Sequence, residues 1–447
     1  MRADLTHAAC EAVAASSKRI RVTGAGALPS SFRVTDLAVA SVAAAGAALR
    51  SLLGDDSENA DIAVDRDLAS HWFAHSIRPD GWQLPPIWDS VAGDYRTADG
   101  WIRLHTNAPH HRAAALAVLE AAEDRSAVAA AASGWAAEEL ETAVVSAGGA
   151  AAAMRTIDEW HAHPQGRAVA AEPLIDFTPT SPATPLELPG IAEGRPLAGI
   201  RVLDLTRVLA GPVATRLLAG WGAQVLRIDP PGWDEPAVIP EVLLGKRTAR
   251  LDLRNEPDRF RGLLAEADVL VHGYRSDALA GLGFDTETRA AIRPGLVDVS
   301  LDAYGWSGPW AARRGFDSLV QMSAGIAAEG MRAYGRDRPT PLPVQALDHA
   351  TGYLVAAAAL RGIAHRRNAQ RGSTARLSLA RTAKLLVDAG SADPAAPTSL
   401  ADPPLHPEIE QTSWGPARRL AAPIAVAGAP LRWELPARAL GSDLAAW

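Results

Sequence analysis

Two places in this 447-residue sequence carry residue types able to do chemistry. The first is the loop Thr206-Arg-Val-Leu-Ala-Gly-Pro212, set between an apolar run of strand length, Gly199-Ile-Arg-Val-Leu-Asp-Leu205, and a helical stretch, Val213-Ala-Thr-Arg-Leu-Leu-Ala-Gly-Trp221. A helix that starts at the carboxyl end of a strand leaves backbone N–H groups free, and these suit a phosphate or a thioester oxygen. With neither a GxGxxG pattern nor a Walker lysine, the loop alone reads first as an ordinary connection. The second is Asp348 in Ala346-Leu-Asp-His-Ala-Thr-Gly352, a carboxylate that opens a long apolar helix. Aspartate at such a place commonly serves as a helix N-cap.

These residues need elements to hold them. Strand, helix and a second strand, Gln224-Val-Leu-Arg-Ile228, follow within a span that predicts a βαβ unit, hence a parallel sheet covered by helices. Further strands are expected at 269–272 and 296–300, and the Asp348 helix is expected to run to about His365. Before this α/β half lies a segment dense in proline and threonine, Phe177 to Gly190, which reads as a linker. The first 175 residues predict helices near 35–53, 110–122 and 136–147. They also predict a hairpin, Asp94 to Leu104, turning at Ala98-Asp99-Gly100. The expected organisation is a small α+β region over 1–175, a linker over 176–195, an α/β region over 196–390 and an extended tail over 391–447.

An internal repeat is visible. Asp36 and Asp348 each open an alanine-rich helix that reaches Leu-Arg, and the segments Val64-Asp-Arg-Asp-Leu-Ala-Ser and Leu377-Ser-Leu-Ala-Arg-Thr-Ala begin 28 and 29 residues past them. Alanine-rich composition can produce such likeness by chance, but the shared spacing favours a duplication.

Composition narrows the function. A net charge of -7 offers no broad attraction to nucleic acid or to an acidic membrane. Cys10 is the single cysteine, which excludes an intramolecular disulfide and any multi-cysteine metal site and makes a reducing, cytoplasmic setting the default. The N-terminus lacks the order of a secretory signal, and no long uncharged apolar run suggests a membrane span.

Read in order, Pro196-Leu-Ala-Gly-Ile-Arg-Val-Leu-Asp-Leu-Thr-Arg-Val-Leu-Ala-Gly-Pro, Gly222-Ala-Gln-Val-Leu-Arg-Ile-Asp, Gly245-Lys-Arg-Thr-Ala-Arg-Leu-Asp-Leu253, Ala267-Asp-Val-Leu-Val-His-Gly-Tyr-Arg and Gly315-Phe-Asp-Ser-Leu-Val-Gln-Met-Ser-Ala-Gly325 closely resemble the class III CoA-transferases. The resemblance covers roughly residues 196–386. It implies an α/β fold with a Rossmann-like parallel sheet that binds coenzyme A, acyl-CoA and carboxylic acid substrates, no metal, and interlocked homodimers. It places Asp348 at the family's nucleophile, which forms an aspartyl-CoA thioester. Val208, Leu209 and Ala210 match the loop along CoA. Lys246, Arg247 and Arg314 are candidates for its phosphates, and Tyr274 and Arg275 keep part of a further CoA-contacting motif. Each basic residue also reads as ordinary solvated surface.

Racemases of the same family carry histidine where Phe316 stands, and phenylalanine accepts no proton, so racemisation is the weaker alternative. His349 reads as a structural neighbour of Asp348. Altered CoA motifs, with Gly281 where a basic residue is usual, leave a non-catalytic CoA-binding partner as a further alternative. Tyr95-Arg-Thr-Ala-Asp-Gly-Trp-Ile-Arg-Leu and His163-Pro-Gln-Gly-Arg resemble the family's small domain, which here precedes the α/β half. Within that permuted order Asp36 is read as a relic of a second nucleophile position. Acyl selectivity is expected in the loop 325–344, with Arg332, Tyr334, Arg336 and Arg338.

Overall fold

The computed structural model describes residues 4–18, 20–54, 62–188, 193–275, 278–392 and 399–447. Residues 189–192 of the expected linker, and 276–277 beyond Arg275, lie outside the described residues. Among the described residues, six strands precede the α/β half: β1 (Ile20–Thr23), β2 (Ile62–Asp65), β3 (Ile77–Pro79), β4 (Gly93–Arg96), β5 (Trp101–Leu104) and β6 (Ala151–Ala153). Seven follow: β7 (Asp176–Pro182), β8 (Arg201–Leu205), β9 (Gln224–Asp229), β10 (Lys246–Arg250), β11 (Val269–His272), β12 (Val297–Asp302) and β13 (Arg371–Ser378). The last stretch adds β14 (Leu405–Thr412), β15 (Gly415–Leu420) and β16 (Ile424–Val426).

Strands β7 to β13 form one sheet in the order β10-β9-β8-β11-β12-β13-β7. All its pairings are parallel except that of β7 with β13. Val202, Leu203, Val269, Leu270 and Val271 are buried, as expected of strands covered on both faces. From β8 the chain winds one way to β9 and β10, then crosses back to β11. A doubly wound sheet opens a crevice beyond the carboxyl ends of its strands at such a reversal.

The proline-rich segment read as a linker is in part strand β7. Its prolines lie on the sheet edge, where a missing N–H breaks no interior ladder bond, so composition alone pointed the wrong way. The tail is also more than an appendage. β15 pairs with β3 and β16 with β2, both antiparallel. Trp433 stacks on Trp72 at 5.7 Å and donates its indole N–H to the Arg216 carbonyl at 2.8 Å. A buried carboxylate ties the three parts of the chain together: Glu241 accepts from Ser76 Oγ at 2.7 Å and from the Ile77 N–H at 3.0 Å, and it pairs with Arg216 and Arg419. Burial opposes its charge, but the two guanidiniums prevail and bring its pKa down to about 2.

The predicted hairpin is present, with β4 antiparallel to β5 and β6 added beside it, and it packs into its own cluster around Tyr95, Ile102, Leu104 and Leu140. The Asp36 helix, Val34–Leu53, instead belongs to the main core, where it packs against the Asp348 helix, Ala346–Ala369. The first 175 residues are therefore shared among several cores, the main one and the hairpin's among them. The Asp36 helix is long and apolar enough to cross a membrane by length and composition, and here it is a buried core helix.

The two helices repeat one another in detail. Each carries its aspartate at the third helical position. Their N-caps, Arg33 and Gln345, have nearly the same backbone, with φ −76° and ψ 53° against φ −73° and ψ 65°. Both end at a left-handed residue, Gly54 or Gln370, and both lead to a strand and then a helix capped by a side chain, Asp65 or Ser378.

Candidate active site

A cavity of about 740 Å³ lies where the sheet order reverses. The loop after β8 supplies Arg207, Val208, Ala210 and Gly211, and the loop after β11 supplies Tyr274 and Arg275. Arg314 and Phe316 come from the segment before helix Asp317–Ser323, Asp302 from the end of β12, and Asp348 from the first turn of its helix. The N-terminal region closes the wall with His110 and His111. A volume of this size suits a substantial organic ligand.

Local backbone explains the loop. Val208 sits at φ 62°, a left-handed conformation that a β-branched residue adopts only at an energetic cost of about 1–3 kcal/mol, and its N–H donates to Glu235 Oε1 at 2.8 Å. Asp204, at the end of β8, holds Thr206 through its N–H at 2.9 Å and its hydroxyl at 2.5 Å. Helix Ala210–Gly220 then begins with no side-chain cap, leaving N–H groups at the cavity. Gly352 is needed where that helix meets the Asp348 helix, since a Cβ there would lie 2.4 Å from the Ala210 carbonyl oxygen.

Asp348 is 8 % exposed, and its carboxylate has neither a hydrogen-bond donor nor a cationic partner among the described residues. It does not cap its own helix. That role falls to Asp317, 1 % exposed, whose Oδ2 accepts the N–H groups of Leu347 at 2.8 Å and Asp348 at 2.9 Å. Gln321 donates to Asp317 Oδ1 at 2.5 Å and accepts the Leu342 N–H at 2.7 Å, which ties the returning loop 325–344 to the pair. Burial, and then the neighbouring Asp317 charge, push the Asp348 carboxyl well above the ordinary carboxylate range; burial also raises Asp317, to about 6.

Asp36 has the opposite surroundings. Arg33 Nε lies 2.6 Å and Arg66 Nη1 2.5 Å from its two oxygens, and against the effect of burial these cations hold its pKa below the usual value. It does not line the cavity. A carboxylate clasped by two guanidiniums is a poor nucleophile, and a desolvated one without a cation is a better one.

Of the residues singled out in the sequence, Val208, Ala210, Tyr274, Arg275, Arg314 and Asp348 share the cavity. Three do not. Leu209 turns into the hydrophobic core. Lys246 is fully buried, with Nζ 3.1 Å from Asp204 Oδ2, 2.8 Å from the Pro212 carbonyl and 2.6 Å from Thr215 Oγ1, so it meets no phosphate. Arg247, on the same strand, is outside the cavity wall and faces Asp443 at 3.9 Å. His349 stacks on Phe73 at 5.2 Å, and burial lowers its pKa to about 3, a structural place in accord with its reading.

The sequence reading missed Arg207, His110, His111 and the capping role of Asp317. Arg207 lies over the Trp233 ring at 4.5 Å and the Tyr274 ring at 5.1 Å and has no ion-pair partner among the described residues. Its signal was its place inside the loop already quoted. The two histidines come from another part of the chain and gave none.

The family model for CoA-transferase family III matches residues 197–428, more than half of the chain, and the chain belongs to that family. It is 34 % identical over 193 residues to an acetyl-coenzyme A transferase of Hypoxylon pulicicidum, covering 41 % of this chain and 32 % of that protein. It is 32 % identical over 195 residues to a probable fatty acyl-CoA transferase of Mycobacterium tuberculosis, covering 40 % and 49 %, and 32 % identical over 196 residues to the succinyl-CoA:glutarate CoA-transferase of Mus musculus, covering 40 % and 44 %. The chain thus spans less than half the length of these relatives. A crystal structure of a CAIB/BAIF family protein from Brucella suis aligns at 25 % identity and TM-score 0.38, covering 49 % of this chain and 65 % of that one.

Proposed function

We propose that the protein transfers CoA between an acyl-CoA thioester and a carboxylic acid, with Asp348 as the nucleophile and an aspartyl-CoA thioester as the intermediate. The ionised Asp348 oxygen attacks the acyl carbon, the C–S bond breaks, and CoA leaves as thiolate with an aspartyl-acyl anhydride left behind. The thiolate attacks the Asp348 carbonyl of the anhydride, releasing the first acid as carboxylate and leaving Asp348 bound to CoA. The incoming carboxylate repeats these steps in reverse and departs as the new acyl-CoA.

The observation that carries this reading is Asp348 itself, buried in the cavity wall with no cation beside its carboxylate among the described residues. Arg207, Arg275 and Arg314, each without a carboxylate partner among the described residues, suit the phosphates of CoA through charge-assisted hydrogen bonds. Phe316, stacked on His105 at 3.7 Å, supplies no base for α-proton exchange.

Incubation with acetyl-CoA and with succinyl-CoA, followed by hydroxylamine or borohydride trapping and peptide mass spectrometry, tests the assignment. The modification is expected on Asp348. Label on Asp36, or α-proton exchange with deuterated solvent in place of any label, would overturn it.

A further inference from the structure

Asp317 does two things to Asp348 that a simple helix cap would not require. The free N–H groups of a helix's first turn normally stabilise a carboxylate at the third position. Here Asp317 accepts the N–H groups of both Leu347 and Asp348, so that favourable field is spent on Asp317 and the Asp348 carboxylate receives none of it. Asp317 is also a second buried carboxyl beside the first, held in place by Gln321.

Among the described residues, no cation forms an ion pair with either carboxyl. Arg103 on β5 acts on Asp317 but donates to Asp94 at 2.7 Å. Arg216 of helix Ala210–Gly220 faces Glu241 and Trp72. On β13 and the helix after it, Arg376 lies over Trp306, and Arg381 donates to the Glu172 carbonyl at 2.8 Å. On the Asp36 helix, Asp36 is held by Arg33 and Arg66. Asp302, His111, Arg313 and Arg314 line the same cavity, and none forms an ion pair with Asp348. At the equivalent position of the internal repeat, Asp36 is held by arginines instead.

We propose that Asp317 is a positioning residue for Asp348: it fixes the first turn of the helix and withholds that turn's N–H groups from the Asp348 carboxylate, keeping its electron pairs available to the acyl carbon. The catalytic consequence rests on the transferase reading. The electrostatic relation between the two carboxyls does not.

The test titrates the Asp348 carboxyl by carbon-13 NMR of aspartate-labelled protein, its signal assigned by loss in Asp348→Asn. The wild type is compared with Asp317→Asn, which removes the charge and keeps an acceptor oxygen. The Asp348 midpoint is expected to fall by about one pH unit or more in Asp317→Asn. The acid limb of aspartyl-CoA formation from acetyl-CoA is expected to shift down with it. Should Asp317→Asn fail to fold, Asp317→Ser, which also removes the charge and keeps a hydroxyl oxygen to accept the N–H groups, gives the same measurement of the Asp348 midpoint. An unchanged midpoint in both variants overturns the proposal. Loss of activity in Asp317→Asn without any shift of the acid limb reduces Asp317 to a structural cap. If the wild type forms no aspartyl-CoA, the transferase reading fails, and the NMR titration still decides the relation between the carboxyls.

Discussion

Lys246 is where a plausible motif reading and the fold part company most sharply. Its ammonium and the Asp204 carboxylate are both 0 % exposed and 3.1 Å apart, and the Pro212 carbonyl and Thr215 hydroxyl complete the lysine's shell. Burial pulls the Lys246 pKa down to about 8 although Asp204 opposes the fall. Lys246→Met keeps most of the volume and strands the Asp204 charge with only the Thr206 and Thr215 donors. Removing one partner of a buried pair typically costs about 3–5 kcal/mol, far more than the 0–1 kcal/mol typical of a surface pair. Urea unfolding monitored by tryptophan fluorescence is expected to show a loss of that size, largely recovered in Lys246→Met/Asp204→Asn. Binding of CoA and of dephospho-CoA, measured on the folded variant by calorimetry, should keep the same ratio as in the wild type, because Lys246 touches no phosphate. A stability loss below about 1 kcal/mol, with the ratio changed, would refute the reasoning.

Other consequences follow from the same contacts. Asp348→Ala is expected to lower CoA transfer by a factor on the order of 10⁶, the scale seen when a nucleophile is removed, while Asp36→Ala leaves turnover near wild type; steady-state assays of the two variants check this. Because the folded-state pKa of Asp348 is raised, its favourable contribution to folding is complete below the unfolded value and lost as pH rises through the folded midpoint. Asp348→Asn should therefore melt higher than the wild type at pH 8 and equally at pH 3.5, by calorimetry. Glu241 behaves oppositely. Its pKa falls from 4.5 to about 2, so the stabilisation it adds, about 3 kcal/mol, is present above 4.5 and lost as the pH drops through 2. Glu241→Gln should flatten the acid side of the stability profile and loosen the tail through Arg419, visible as faster hydrogen exchange in β15.

The sequence by itself determined the parallel sheet, the long Asp348 helix and the loop after β8. These are written in local signals: short apolar runs, a turn at a strand's carboxyl end and an apolar stretch opened by aspartate. The resemblance to class III CoA-transferases, rather than these local signals, marked Val208, Ala210, Tyr274, Arg275, Arg314 and Asp348, which the fold gathers around one cavity. Tertiary structure alone decided which charges are free. Lys246 looks like a solvated cation until Asp204 and Thr215 close around it. The segment at Asp176 looks like a linker until β13 offers it an edge. Asp36 and Asp348 occupy the same third position of two similar helices. What separates them is the company their carboxylates keep: Arg33 and Arg66 for one, the like charge of Asp317 for the other. A carboxylate's reactivity depends on solvation and neighbouring charge at a few ångströms, and such neighbours come from distant parts of the chain.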